Sequence, residues 1–154
     1  MTSSTEAQGA SPLVEGSTDE LLPEVHWHPD EVDVFQYSAI MWNSHRIHYD
    51  LPYTTQVAGQ PRLVVPGPLQ GTYLEQLASG WIGDRGHVTE FSYRNRASAY
   101  IGDEIIAGGR VLSDRSTDSE LVVELWAKLG NGTMTVAGEA IVQIDGDASN
   151  RKEK

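Results

Sequence analysis

The chain contains no cysteine. Disulfide staples, thiolate nucleophiles and cysteine-based zinc sites are therefore excluded. Basic residues are scarce: 11 Lys and Arg stand against 22 Asp and Glu, a formal charge of −11 over 154 residues. Binding to duplex nucleic acid relies on clustered Lys and Arg that displace counterions, so neither nucleic acid nor an anionic membrane surface is an expected partner. Net charge still permits a local basic pocket for a phosphorylated ligand. No apolar run approaches the roughly 18 residues of a membrane-spanning helix. The opening MTSSTEAQGASPLVEGSTDE has neither the basic nor the apolar region of a signal peptide, and a cytoplasmic location is expected. GxGxxG and P-loop signatures are absent, and no cofactor is expected.

What is there suits one domain. Hydrophobic residues make up 39% of the chain, enough for one core, and glycine is frequent, with 15 copies. Residues 1–21 are rich in Ser, Thr, Gly and Glu and read as a disordered tail. Residues 146–154 are equally polar and read as a flexible tail. The folded body is expected over 22–145.

Hydrophobic spacing divides that body in two. In residues 30–43, Val32, Phe35, Ala39 and Trp42 fit one face of a helix that starts near Pro29 and Asp30. A second helix is predicted over 68–81, with Pro68 in its first turn, apolar residues at helical spacing and Gly83 as the stop. Few of its positions are polar, so other structure must cover it on both sides. The second half reads as β: strands are predicted over 87–98, 103–113, 119–129 and 133–144. Asn131–Gly132 supplies a hairpin turn between the last two. One buried helix followed by four antiparallel strands is an α+β plan in which the sheet wraps the helix.

The stretch YSAIMWNSHRIHYDLPY, followed by LVVPGPLQGTYLEQL, resembles the MaoC-like hydratases. Within them it is most similar to the branch of mitochondrial-type 3-hydroxyacyl-thioester dehydratases and mesaconyl-CoA hydratases. The likeness is close over residues 34–80 and loose through RNRASAYIGDEI. It implies a hot-dog fold, a long central helix wrapped by an antiparallel sheet. It also implies acyl-CoA or acyl-carrier thioester substrates and reversible addition of water across the 2,3 double bond.

That chemistry needs a base for the α-proton, an acid for the leaving hydroxyl and donors for the enolate oxygen. His48 is the candidate acid and base, because imidazole titrates near neutrality; its plain alternative is a buried histidine satisfied by backbone. The wider family pairs the equivalent histidine with an aspartate five residues earlier. Here Asn43 stands there, able to hold water or hydroxyl but not to take a proton. The resemblance implies that the Gly67 amide, at the start of the long helix, polarises the thioester carbonyl. Tyr37, His45, Arg46 and Pro66 are candidate substrate-binding positions. For His45 the competing role is to brace the loop, and for Arg46 it is to pair with Asp50. Pro66 replaces a usual histidine and lacks an N–H. His26, His28, His45, His48 and Asp50 offer ligand types for zinc, but HRIH in a non-helical loop is poor ligand spacing, and no metal site is expected.

Hot-dog units pair edge to edge with the site at their junction. A homodimer or higher oligomer is therefore expected, or a hetero-oligomer with another hot-dog subunit. Longer relatives carry two such units in one chain. Three functions compete: a hydratase or dehydratase, a non-catalytic subunit completing a partner's site, and a thioesterase. The last would rely on an acidic residue near the central helix, where Glu75 lies well past the start.

Overall fold

A computed structural model of the chain describes residues 20–145. The expected tails therefore lie outside the described residues, except Glu20 and Leu21. These two belong to the sheet: Leu21 bridges Arg110 and the Glu20 carbonyl accepts from Val111 N–H.

Helix α1 spans Glu31–Ile40 and is started by a capping box. Asp30 accepts from the amides of Val32 and Asp33, while the Asp33 carboxylate accepts from Asp30 N–H. The expected apolar face is not the one it buries. Val34 and Ser38 face the core, whereas Val32 (59% exposed), Phe35 (61%) and Trp42 (94%) point outward. Apolar residues on both sides of a short helix made the inward side ambiguous by periodicity alone.

Helix α2, Leu51–Gln56, follows a 3-10 turn over Arg46–His48 and is capped by Asp50. The HRIH segment is thus helical in its last three residues, not an irregular loop. Helix α3 spans Gly67–Ile82, one residue longer at each end than the sequence predicts. It stops where Gly83 takes φ 52°, a left-handed conformation that suits glycine.

Five strands form one antiparallel sheet in the order β1-β3-β4-β5-β2. They are β1 (Val25–Trp27), β2 (Gly86–Asn95), β3 (Ile105–Val111), β4 (Glu120–Leu129) and β5 (Met134–Ile144). The four predicted long strands are present, each somewhat shorter overall than predicted, and the short β1 joins as an edge. The inner face presents Ile105, Ala107, Val123, Leu125, Ala127, Val136, Ala140 and Val142, all buried against α3 residues Leu74, Leu77, Ala78 and Ile82. Strict alternation would put Val88 on the opposite face from Phe91 and Tyr93. An irregularity in the β2–β5 register between Val88 and Glu90 inserts one residue, and all three pack on the core.

Close approach of helix and sheet is a requirement of this packing. A Cβ at Gly71 would lie 2.7 Å from the Tyr93 ring. Trp27 of β1 stacks on Tyr73 of α3 with centroids 4.3 Å apart, and burial raises the Tyr73 phenol to about 12. The helix is enclosed by the sheet, as the hot-dog expectation requires.

Candidate functional site

The segment Leu63–Val65 carries the chain into α3 and fixes the site. It pairs with the stretch after β2: Val64 bridges Tyr100, Val65 N–H donates to Ala99 and Ile101 N–H donates to Leu63. On its other side it grips the 3-10 turn. Val64 N–H donates to the Ile47 carbonyl at 3.0 Å, and His48 Nδ1 lies 2.7 Å from the Val64 carbonyl oxygen. A carbonyl only accepts, so Nδ1 carries the proton and Nε2 is the basic nitrogen. His48 is buried, and burial is the main cause that lowers its pKa from the usual 6.5. The backbone bond to Val64 opposes the shift, and His45 adds to it. The ring is therefore neutral at pH 7.

A cleft of about 360 Å³ opens beside this histidine. His48, Val64, Gly67, Gln70, Asn95 and Arg96 are among the residues that line it. Gly67 is the first residue of α3, so its N–H has no partner within the helix. Pro68 has no N–H to add. The helix dipole adds to the pull on a developing negative charge. A Cβ at Gly67 would overlap the Asn95 carboxamide, which would have to move aside.

Asn43 lies elsewhere. It lines a second cleft of about 310 Å³ with Phe35, Ser38, Trp42 and Tyr49. Its Oδ1 accepts from His45 N–H at 3.2 Å. His45 is exposed and meets His48 edge-on, with ring centroids 5.8 Å apart. Arg46 pairs with Asp50, its Nη2 donating to Oδ2 at 2.6 Å, and lies over the Tyr53 ring. Tyr49 donates to the Ser44 carbonyl at 2.9 Å. Asp50 and Tyr49 thus brace the loop. Pro66 is buried at the N-cap of α3, and Tyr37 is half-buried against the core. Glu75 is engaged by the Ser79 hydroxyl, one turn further along α3. His26 and His28 both approach Glu104, at 2.7 and 3.8 Å.

The structure thus brings His48 and Gly67 into one cleft and places Asn43 at another. It adds Gln70, Asn95 and Arg96, which sequence reasoning left without a role. Gln70 is 2% exposed, and among the described residues its Oε1 has no hydrogen-bond partner. Arg94 and Arg96 are the arginines whose side chains form no ion pair or hydrogen bond among the described residues. Both are exposed: Arg94 is on β2, and Arg96, just past its end, lines the cleft. Gln70 closes the GPLQ segment, and its spacing alone shows that it lies one turn inside the helix. That it faces the cleft depends on the tertiary fold.

Comparison with known proteins bears on the fold and the family. The mesaconyl-C(4)-CoA hydratase of Chloroflexus aurantiacus is 41% identical over 76 residues, 47% of this chain and 25% of that protein. The mitochondrial hydroxyacyl-thioester dehydratase type 2 of Schizosaccharomyces pombe is 33% identical over 87 residues, 54% of this chain and 29% of that protein. The matched regions thus span less than a third of these relatives. Among solved structures, the (R)-hydratase from A. caviae involved in PHA biosynthesis superposes with a TM-score of 0.75 at 18% identity, covering 86% of this chain and all of that one. The ChsH1–ChsH2 complex from Mycobacterium tuberculosis gives 0.73 at 15% identity, covering 84% and 99%. At these identities the likeness establishes the hot-dog fold alone. The family model for hydroxyacyl-thioester dehydratase type 2 matches residues 2–101, well over half of the chain, and the chain belongs to that family.

Proposed function

We propose that this protein interconverts 2-enoyl and 3-hydroxyacyl thioesters by adding or removing water, as a carbon–oxygen lyase that needs no cofactor. The observation that carries the reading is the pairing of a neutral His48, its Nε2 left basic, with the free Gly67 N–H of α3 in one cleft. In dehydration, His48 Nε2 takes the α-proton and the carbonyl oxygen gains enolate character, held by Gly67 N–H. The enolate electrons then form the 2,3 double bond as the Cβ–O bond breaks. The imidazolium returns its proton to the departing oxygen, and water leaves. The histidine ends as it began, so one group serves as base and acid. Hydration is the reverse.

Arg96 at the cleft, with Arg94 two residues before it on β2, suits the phosphates of a pantetheine-linked thiol. Either coenzyme A or a carrier protein supplies that chemistry.

The protein works as an assembly of hot-dog units. The outward stripe of Val32, Phe35, Ile40, Met41 and Trp42 is large and apolar. The occupant we assign to it is a second copy of this chain. The apolar cleft containing Asn43 lies along that stripe, so association would close it. Half-site behaviour with a different hot-dog subunit is the competing outcome. The ChsH1–ChsH2 neighbour is itself a complex of two proteins.

The test is hydration of trans-2-enoyl-CoA by the purified chain, followed by loss of the conjugated thioester's ultraviolet absorbance. The reading expects turnover that His48→Ala abolishes. Failure on enoyl thioesters of both CoA and carrier protein would overturn it. Activity that appears only with a second hot-dog chain would favour the two-protein assembly.

A further inference from the structure

We propose that Gln70 is the residue that holds the water, or the 3-hydroxyl group, at the reacting carbon. This deepens the hydratase reading above and rests on it for the identity of the reaction. Three observations lead there.

First, the side chain stands under stress of desolvation. It is 2% exposed on α3, yet its Oε1 has no hydrogen-bond partner among the described residues. Leaving such a group unpaired carries the full desolvation penalty of a buried acceptor. A leucine of similar size would avoid that cost at this position, between Leu69 and Gly71 on the buried face.

Second, the carboxamide lines the same cleft as His48 and Gly67. Gln70 lies three residues after Gly67, one helical turn inward from the amide assigned to the carbonyl. A thioester whose carbonyl meets Gly67 N–H would extend its Cβ deeper into the cleft, past His48 and toward Gln70.

Third, the ligand chemistry is selective. A thioester carbonyl and its enolate only accept hydrogen bonds. Water and a 3-hydroxyl both donate and accept, so they satisfy a carboxamide whichever end it turns to the cleft. Asn43 lines the other cleft, which leaves the oxygen nucleophile without its sequence-expected partner. Gln70 supplies one. It transfers no proton. It holds the oxygen so that the single proton carried by His48 Nε2 passes to it when Cβ–O breaks, and returns to Cα in the reverse direction.

The experiment compares the parent with Gln70→Leu and Gln70→Met in the full chain. Three readouts are used: thermal unfolding, kcat and KM for enoyl-CoA hydration, and calorimetric binding of 3-hydroxybutyryl-CoA against butyryl-CoA, which lacks the hydroxyl. The proposal expects both variants to fold with Tm equal to or above the parent. It expects kcat to fall about 10–100-fold with KM nearly unchanged, and the parent's preference for the hydroxylated ligand to vanish. A merely structural glutamine would lower Tm and leave the ligand preference intact, which overturns the proposal. It is also overturned if the parent binds the two ligands equally or not at all, or if Gln70→Leu keeps full turnover. The hydratase reading fails separately, when the parent binds and discriminates the ligands but hydrates no enoyl thioester.

Discussion

Val64 grips the turn that carries His48 at two points: the histidine ring donates from Nδ1 to the Val64 carbonyl at 2.7 Å, and Val64 N–H donates to the carbonyl of Ile47, the residue before the histidine, at 3.0 Å. The ring can neither turn over nor change tautomer without breaking a buried hydrogen bond. His48→Ala should lower turnover by about 10²–10⁴-fold, the usual range for general acid–base catalysis. Single-turnover kinetics on an enoyl thioester, with circular dichroism as a check on folding, measures it.

The same burial sets the pH dependence. The pKa of His48 is lowered from 6.5, first by desolvation, and the working form is the neutral one. kcat/KM for hydration should therefore be level through neutrality and fall only on the acid side of 6.5, as Nε2 is protonated. Stability follows the same sign. Below 6.5 the unfolded histidine binds protons that the folded one resists, so stability declines as pH falls. The acid-side decline in Tm should be shallower in His48→Gln than in the parent.

Gly67 and Asn95 compete for one volume, since a side chain at Gly67 would overlap the Asn95 carboxamide. Gly67→Val should abolish activity, and the loss of one oxyanion donor alone accounts for about 10²–10³-fold. Gly67→Ala with Asn95→Ala separates two explanations. The double variant should recover the Tm of the parent while staying at least tenfold less active, because a Cβ still crowds the carbonyl. Full recovery of rate would reduce Gly67 to a space-filling role beside Asn95.

Gly71 tests packing away from the chemistry. Its Cβ would stand 2.7 Å from the Tyr93 ring, a buttressed aromatic that stacks on Phe91. Gly71→Val should destabilise the fold by about 1–3 kcal/mol through overpacking, measured by urea denaturation.

Trp42 is 94% exposed at φ 51°, a conformation uncommon for any residue but glycine. Trp42→Gly should leave each unit folded and weaken association. Sedimentation of the parent should give at least a dimer, and of the variant a larger monomer fraction.

The central features were legible where spacing decides them. The apolar run from Leu69 to Trp81 bounded by Pro68 and Gly83, and the four β-rich runs after it, gave the enclosed helix and the antiparallel order of the hairpins. His48 and Gly67 were legible through a motif. The Arg46–Asp50 pair, preferred on chemistry, is present. What was not legible depends on three dimensions. The inward face of α1 is chosen by where Val34 and Ser38 meet the core, and Val32 and Phe35 were equally apolar candidates. The inserted residue near Val88 is visible only in the pairing with β5. The separation of Asn43 from His48 arises because the chain turns between them. Gln70 and Asn95, far apart in sequence, share a cleft only once β2 is in place.

The sheet order has a further consequence for how the chain is made. β5 is the last strand in sequence, yet it sits between β4 and β2 and is the sole described neighbour of β2. During synthesis β2 waits without a partner until residues 136–144 emerge, and one flank of α3 waits with it. Until then, co-translational folding stops short of the native sheet. A ribosome halted before Val136 carries a chain with an open ten-residue edge and an uncovered apolar helix, the form most prone to aggregate or to recruit a chaperone.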